Sequence, residues 1–328
     1  MPLSRIAVVI PCYRVKAQIL AVLQKIGPEC WKIYVIDDQC PEQTGDYVKS
    51  NTSDPRIAVV YNTENLGVGG AVIEGYKRAI ADGATVIVKV DGDGQMNPEL
   101  IRQFVQPIID GLADYTKGNR FYNLDYISRM PVIRIVGNAV LSFMTKLSSG
   151  YWDLFDPTNG YTAIHASVAA MLPLDKISKR YFFESDVLFR LNTVRAVVID
   201  IPMQPAYGAE ISNLHLTKIL PEFLVKHTKN TFKRVFYNYY LRNFSLASIE
   251  LIVGIIAIGF GSAFGTLSWI ASAATGEEAS AGTVMLAALP IMLGIQFVLA
   301  FFNYDISSIP RYPISRKMLP FSNSNEAH

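Results

Sequence analysis

The chain has 328 residues, half of them hydrophobic and 18% charged, with a formal net charge of +2. That composition excludes a disordered chain, which combines low hydrophobicity with high charge. The near-neutral balance excludes the broad basic field by which nucleic-acid binders hold phosphate backbones. Charged residues fall below the roughly 25% of an average soluble protein, and a mean hydropathy of +0.23 disfavours a simple soluble enzyme. Cys12, Cys30 and Cys40 form no disulfide framework and match no zinc-ligand spacing, so they read as reduced, cytosol-facing thiols. The segment from Met1 lacks the apolar stretch and cleavage site of a signal peptide.

In chain order, Ile6-Ala7-Val8-Val9-Ile10 is a continuous apolar, β-branched run, as a buried parallel strand requires, and Pro11 is expected to stop it. Periodicity through Ile19, Leu20, Val22, Leu23 and Ile26 predicts a helix over 16–26. Trp31 to Ile36 reads as a second strand, ending in Asp37-Asp38, and Ile57 to Tyr61 as a third. Gly67 to Gly70 turn into a helix running to about Ala81, and Ala84 to Val90 form a fourth strand that ends at Asp91. This alternation predicts a mostly parallel sheet with helices on both faces. Ligands in such sheets lie outside the carboxyl ends of the strands, where the acidic clusters at 37–38 and 91–93 fall.

The second half changes character. Residues 216–243 hold Lys218, Lys226, Lys229, Lys233, Arg234 and Arg242 against the single acid Glu222, interleaved with Phe223, Leu224, Phe232, Phe236 and Tyr240. The mixture predicts a basic amphipathic helix on an anionic bilayer surface, with a soluble domain's surface helix as the alternative. Leu251 to Ala271 and Thr283 to Phe302 are uncharged, and about 20 apolar residues span a hydrocarbon core. Gly254, Gly259, Gly261 and Gly265 suit close helix packing in lipid. The short loop from Thr275 to Gly282 carries Glu277 and Glu278 and no base, whereas the flanks carry Lys233, Arg234, Arg242, Arg311, Arg316 and Lys317. The positive-inside rule then places both termini and the α/β domain on the cytoplasmic side of an inner or plasma membrane.

Three constellations carry chemistry. In Val90-Asp91-Gly92-Asp93-Gly94-Gln95, two carboxylates two apart at a strand's end, with a nearby carbonyl, suit a hard divalent cation bridging a diphosphate; a β-turn is the alternative. In Val35-Ile36-Asp37-Asp38 the acids either accept hydrogen bonds from a base or ribose or cap the next helix. Asn65-Leu66-Gly67-Val68-Gly69-Gly70-Ala71 lets a backbone approach a ligand before a helix. It lacks the Lys-Ser/Thr of a P-loop and does not follow the first strand as a dinucleotide fingerprint does.

The order of these motifs, preceded by Val9-Ile10-Pro11-Cys12-Tyr13 and followed by Lys117-Gly118-Asn119-Arg120 and Asp156-Pro157-Thr158-Asn159-Gly160-Tyr161, resembles the family-two glycosyltransferases of GT-A fold. Within that family it is similar to the polyprenyl-phosphate glycosyltransferases, the dolichol-phosphate mannose synthases among them, some of which carry two C-terminal membrane helices. The resemblance covers roughly residues 5–215. It implies an α/β fold with a GT-A-type mostly parallel sheet, followed by an interfacial helix and two transmembrane helices. The implied domains are a catalytic domain over 1–215, a basic juxtamembrane segment over 216–243, a transmembrane hairpin over 244–303 and a cytoplasmic tail over 304–328.

The resemblance further implies a nucleotide-sugar donor bound at Pro11, Tyr13, Asp37, Asp38, Gly70 and Asp91, and Mg²⁺ or Mn²⁺ held by Asp91, Asp93 and Gln95. Arg120 and Arg134 would hold the acceptor's phosphate, since arginine forks match phosphate geometry at any working pH. Asp93 and Asp156 complete the expected catalytic set, Asp156 orienting acceptor or sugar, or else serving as a turn or cap before Gly160. Glu184 and Asp186 resemble the family's later acidic element, in a sugar-contacting or structural role. Two departures stand out: Gln39-Cys40 replaces the usual Gly-Ser after Asp38, and no arginine occurs between Ile201 and Thr217, where relatives place a basic pair near the diphosphate. The expected reaction is an inverting transfer of a hexose from a UDP- or GDP-sugar to a polyprenyl phosphate, undecaprenyl or dolichyl, at the cytoplasmic membrane face. The expected partners are that donor, that acceptor and membrane lipid, with no nucleic acid and with a homo-oligomer plausible. The rival readings are transfer to a glycan acceptor in surface polysaccharide synthesis and a non-catalytic membrane protein that binds nucleotide sugars.

Overall fold

The computed structural model describes residues 4–122, 132–204 and 216–318, with backbone alone at 133–134, 216–220 and 318. The chain divides into two compact units, one of residues 1–231 with 310–328 and the other of residues 232–309.

The first unit is built on a seven-stranded sheet: β1 (Ile6–Cys12), β2 (Cys30–Asp37), β3 (Ile57–Tyr61), β4 (Val86–Lys89), β5 (Tyr115–Asn119), β6 (Thr162–His165) and β7 (Val198–Pro202), in the order β3-β2-β1-β4-β6-β5-β7. All run parallel except β6, which is antiparallel to β4 and β5. The expectation of a mostly parallel sheet is met. The chain winds from β1 out to β3 and returns to β4 on the other side of β1. The carboxyl ends of β1, β2 and β4 therefore open at a topological switch point. Because β6 is reversed, the segment leading into it reaches the same edge, opposite the end of β5.

The helices of this unit are α1 (Ile19–Gln24), α2 (Thr44–Asn51), α3 (Val68–Ala81), α4 (Ile101–Ile109), α5 (Val132–Ser149), α6 (Ala166–Met171), α7 (Phe183–Thr193) and, as far as Thr231, α8 (Leu216–Phe236). One core layer joins Val8, Ile10, Ile33, Val35, Val86 and Val88 of the sheet to Val22 of α1 and Phe104 and Val105 of α4. Strand β1 runs through Pro11 rather than stopping there. Pairing with β4 ends at Val9 while pairing with β2 continues to Cys12. The Cys12 carbonyl accepts from Asp38 on the β2 side, so Pro11 faces the unpaired side, where its missing N–H costs no ladder bond.

The chain re-enters this unit at its end. Asp114, fully buried before β5, accepts the backbone N–H groups of Val197 (2.8 Å), Ile314 (2.9 Å) and Ser315 (2.8 Å). The last two open the short helix α11 (Ser315–Met318). The sequence boundaries at 215 and 304 are thus not where the compact units divide.

The second unit holds α9 (Leu246–Thr275) and α10 (Ala281–Ser307), each long and apolar enough to cross a membrane. A Cβ on Gly254 would lie 2.9 Å from the Gly294 carbonyl oxygen, and one on Gly261 2.6 Å from that of Ala287. The glycines let the two helices approach backbone to backbone. A Cβ on Gly265 would meet that of Ala287 at 3.1 Å, while Gly259 has open space and takes no part. Arg234 grips Asp305 through two bonds (2.6 and 2.9 Å), both side chains buried, and Tyr239 donates its hydroxyl to the same carboxylate (2.5 Å). Arg234 is therefore committed to an internal ion pair rather than to the basic face expected of it.

Candidate active site

At the end of β2 both acids organise backbone. Asp37, 3% exposed, accepts from the N–H groups of Cys40 (2.7 Å) and Gly45 (2.6 Å) and so ties β2 to the start of α2. Asp38, 2% exposed, accepts from the Asn62 side chain (2.7 Å) and from the N–H groups of Leu66 (2.9 Å) and Gly67 (2.8 Å). One carboxylate thus fixes the glycine-rich loop against the sheet. Charge-assisted bonds to backbone N–H groups are among the stronger hydrogen bonds, so the pair is a rigid floor. Above it, Tyr13 is exposed beside Pro11, and the Arg14 guanidinium lies 5.4 Å from the Tyr13 ring.

The glycines of that loop serve packing against the protein. Gly67 has φ +79°, and a Cβ there would lie 2.8 Å from the Lys179 carbonyl oxygen. A Cβ on Gly69 would meet Phe183 and one on Gly70 would meet Leu66, while the Gly70 N–H donates to Lys179 (3.0 Å). The ligand approach expected of Gly70 is thus accompanied by a structural reason for the glycine: the segment before α7 lies directly on the start of α3.

At the end of β4, Gly94 takes φ +79° and the Gln95 N–H donates to Asp93 Oδ1 (2.9 Å), closing the Asp91–Gln95 turn. Lys89, 1% exposed, places its Nζ 2.9 Å from Asp91 Oδ1 and 3.3 Å from Glu184 Oε1 at the start of α7. Burial alone would lower this ammonium's pKa, but the facing Asp91 and Glu184 outweigh it and raise it. Burial pushes the Glu184 carboxyl up, against the pull of Lys89. Below the loop, Tyr161 stacks on Phe104 at 4.0 Å and donates its hydroxyl to the Asn97 carbonyl (3.1 Å).

Across the sheet edge, Arg120 follows β5. Its Nε and Nη2 each donate to the Asp156 carboxylate at 2.7 Å, and its own N–H adds a third bond (3.1 Å). Asp156 is buried with φ +52°, whereas 30% of the Arg120 side chain is exposed. Burial works to raise the Asp156 pKa, but its bonds to Arg120 prevail and hold it below the ordinary carboxylate range. Beneath lies a network that sequence reasoning missed. Lys117 donates to the Phe155 carbonyl (2.5 Å) and sits 3.2 Å from Asp200, which also accepts from the Asn119 side chain and the Phe155 N–H (2.9 Å each). Arg134 lies on α5, but its side chain is outside the described residues, as is the stretch from Ala206 to His215 that departs from the basic pair of relatives.

Asp186 is spent on architecture. It accepts from the Ser178 N–H (2.9 Å), from Arg190 (3.3 Å) and from Asn230 of α8 (3.0 Å). Glu184, two residues earlier and so on nearly the opposite face of the helix, faces the β4 loop. His227 of α8 is 2% exposed among Phe182 and Phe223, and its Nδ1 shares a 2.8 Å hydrogen bond with Ser148.

The structure thus collects at one sheet edge the ends of β1, β2, β4 and β5 and the entry to β6. Residues 7–171 match the family described as Glycosyl transferase family 2. The chain is 29% identical over 234 residues to a UDP-N-acetylglucosamine–dolichyl-phosphate N-acetylglucosaminyltransferase of Methanococcus voltae, covering 67% of this chain and 92% of that one. It is 29% identical over 204 residues to an undecaprenyl-phosphate mannosyltransferase of Micrococcus luteus, covering 61% and 82%. In fold it is similar to glucosyl-3-phosphoglycerate synthase from Mycobacterium tuberculosis in complex with UDP, with a TM-score of 0.51 and 17% identity over 70% of this chain and 80% of that one. The architecture is therefore of GT-A type. The family match covers half of the chain, and the chain belongs to glycosyl transferase family 2.

Proposed function

We propose that the chain transfers a hexose from a nucleotide-sugar donor to a polyprenyl phosphate at the cytoplasmic face of a membrane, with inversion at the anomeric carbon. What carries this reading is the joining of a GT-A-type site to two membrane-length helices in a chain whose relatives from Methanococcus voltae and Micrococcus luteus are named for dolichyl- and undecaprenyl-phosphate acceptors. The acceptor of such a reaction is lipid-borne, and its phosphate lies at the bilayer surface.

A phosphate monoester has a second pKa near ~6 and is largely a dianion at neutral pH. It needs positioning more than deprotonation, so a strong general base is not obligatory. Arg120, held in plane by Asp156, presents a partly exposed guanidinium that suits the acceptor phosphate. The floor of Asp37 and Asp38 shapes the donor pocket beside Pro11 and Tyr13. Glu184 is placed by Lys89 to face the same turn.

Asp91, Asp93 and Gln95 fit a divalent cation by the chemistry of the donor set: two carboxylates and an amide carbonyl, all oxygen, on one glycine turn. Among the described residues no group of three or more His, Cys, Asp or Glu side chains comes together to hold a metal ion. Mg²⁺ takes one or two protein carboxylates and completes its sphere with water and substrate phosphate. Such an ion, when bound, stabilises the negative charge of the leaving diphosphate.

The test is the acceptor headgroup. Purified chain in detergent is given a donor and either undecaprenyl phosphate or undecaprenol. The proposal expects sugar transfer to the phosphate alone. Equal transfer to the free alcohol would overturn it.

A further inference from the structure

Lys89 is a lysine in the middle of a sheet. It ends β4, between β1 and β6, and is 1% exposed. An ammonium taken out of water there is costly unless carboxylates face it. Two do, Asp91 at 2.9 Å and Glu184 at 3.3 Å, from different elements. The fold also keeps space for it. A Cβ on Gly160 would lie 2.3 Å from Lys89 Nζ and 3.0 Å from Asp91 Oδ2, so glycine is the residue that admits the pair. The sheet register locks the lysine in place, with Lys89 opposite Val9 on one side and Thr162 on the other.

We propose that Lys89 is a positioning residue that gives Asp91 a fixed counter-charge, so that a divalent cation is held firmly only when a nucleoside diphosphate binds with it. The inference rests on the metal reading above. One Asp91 oxygen already faces an ammonium, which weakens the pull of the turn on a bare cation. A diphosphate adds the negative charge and the oxygen ligands that the protein withholds. The same ammonium joins the β4 turn to the start of α7 through Glu184, so the orientation of Asp91 depends on where that helix sits.

The experiment is a Mn²⁺ titration of the purified full chain, followed by the electron paramagnetic resonance signal of free Mn²⁺, without nucleotide and with UDP or GDP as probes. Wild type should bind Mn²⁺ weakly alone and at least about tenfold more tightly with whichever diphosphate it accepts. Lys89→Met should strengthen nucleotide-free Mn²⁺ binding by about tenfold, the order expected for one unit charge at a partly screened site, and shrink the effect of the diphosphate. Glu184→Gln leaves the ammonium to Asp91 alone and should weaken Mn²⁺ binding in the presence of diphosphate several-fold. Thermal unfolding establishes that each variant is folded; if Lys89→Met is not, the Glu184→Gln result decides. Unchanged or weaker nucleotide-free binding in Lys89→Met, or unchanged binding in Glu184→Gln, would overturn the role of Lys89 and leave the metal reading standing. No Mn²⁺ binding by wild type with either diphosphate would instead overturn the metal reading and the inference with it.

Discussion

Asp114 accepts the backbone N–H of Ser315, 201 residues later in the chain, with a bond of 2.8 Å. The neighbouring Ile314 donates to the other carboxylate oxygen. The segment beyond the apolar hairpin is thus part of the α/β unit and completes it. Asp114→Ala would leave three backbone N–H donors, two of them buried, without their acceptor, at a cost of about 2–4 kcal/mol. Limited proteolysis should then cut within 310–318 well before the rest of the unit. Ending the chain at Ile309 should destabilise the unit by a similar amount and lower its unfolding temperature. An unchanged cleavage pattern in Asp114→Ala would contradict the docked role of this segment.

Arg120 and Asp156 form the second testable relationship. Arg120→Ala should raise the KM for acceptor more than that for donor, because the guanidinium is assigned to the acceptor phosphate. The reverse would move Arg120 to the donor side. Asp156→Asn keeps the shape but removes the charge that aims the fork, and should reduce kcat/KM for acceptor by about tenfold to a hundredfold.

His227 gives a pH signature. Burial lowers its pKa to about 4, below the ~6.5 of an exposed histidine. Between those values the unfolded chain binds the proton and the folded chain does not. Stability from this group is therefore fully present above pH ~6.5 and is lost as pH falls towards 4, by roughly 3 kcal/mol at most. Thermal unfolding of the wild type should weaken over that window more steeply than that of His227→Gln. Parallel curves would show that the histidine is not held neutral.

The glycine contacts of the hairpin predict a contrast. Gly254→Ala places a methyl group 2.9 Å from a backbone oxygen of α10 and should destabilise the hairpin by about 1–3 kcal/mol. Gly259→Ala meets open space and should be neutral or slightly stabilising, since alanine favours helix. Unfolding in detergent measures both, and equal effects would contradict the packing.

The apolar runs made β1, β2 and β4 legible because buried parallel strands need nothing else, and the same kind of run marked β3 although it is only half-buried. The uncharged stretches made the two long helices legible for the same reason. Less was legible where side chains meet across the chain. Pro11 looked like a strand end because the one-sided pairing of β1 depends on where β4 stops. Helix α2 is short and polar, without the apolar periodicity that marks α1 and α3, and it is anchored by Asp37 from outside itself. The packing of the glycines at 67–70 left no sequence signal, because their neighbours Lys179 and Phe183 lie more than a hundred residues away in sequence. Lys89 did leave a signal, a lone cation in Val86-Ile87-Val88-Lys89-Val90, but its partners Asp91 and Glu184 come together only in the fold. The bond between Arg120 and Asp156 joins two motifs that the sequence presents separately.

The central claim is tested most directly by radiolabelled transfer from a panel of UDP- and GDP-sugars into extractable lipid. Purified chain is incubated with undecaprenyl phosphate and Mg²⁺ or Mn²⁺, and the Asp93→Ala variant serves as control. The account predicts labelled, mild-acid-labile lipid from one donor, dependent on the cation and absent with Asp93→Ala. Cation-dependent release of nucleoside diphosphate with no labelled lipid would contradict the lipid-phosphate acceptor and point to a glycan acceptor instead.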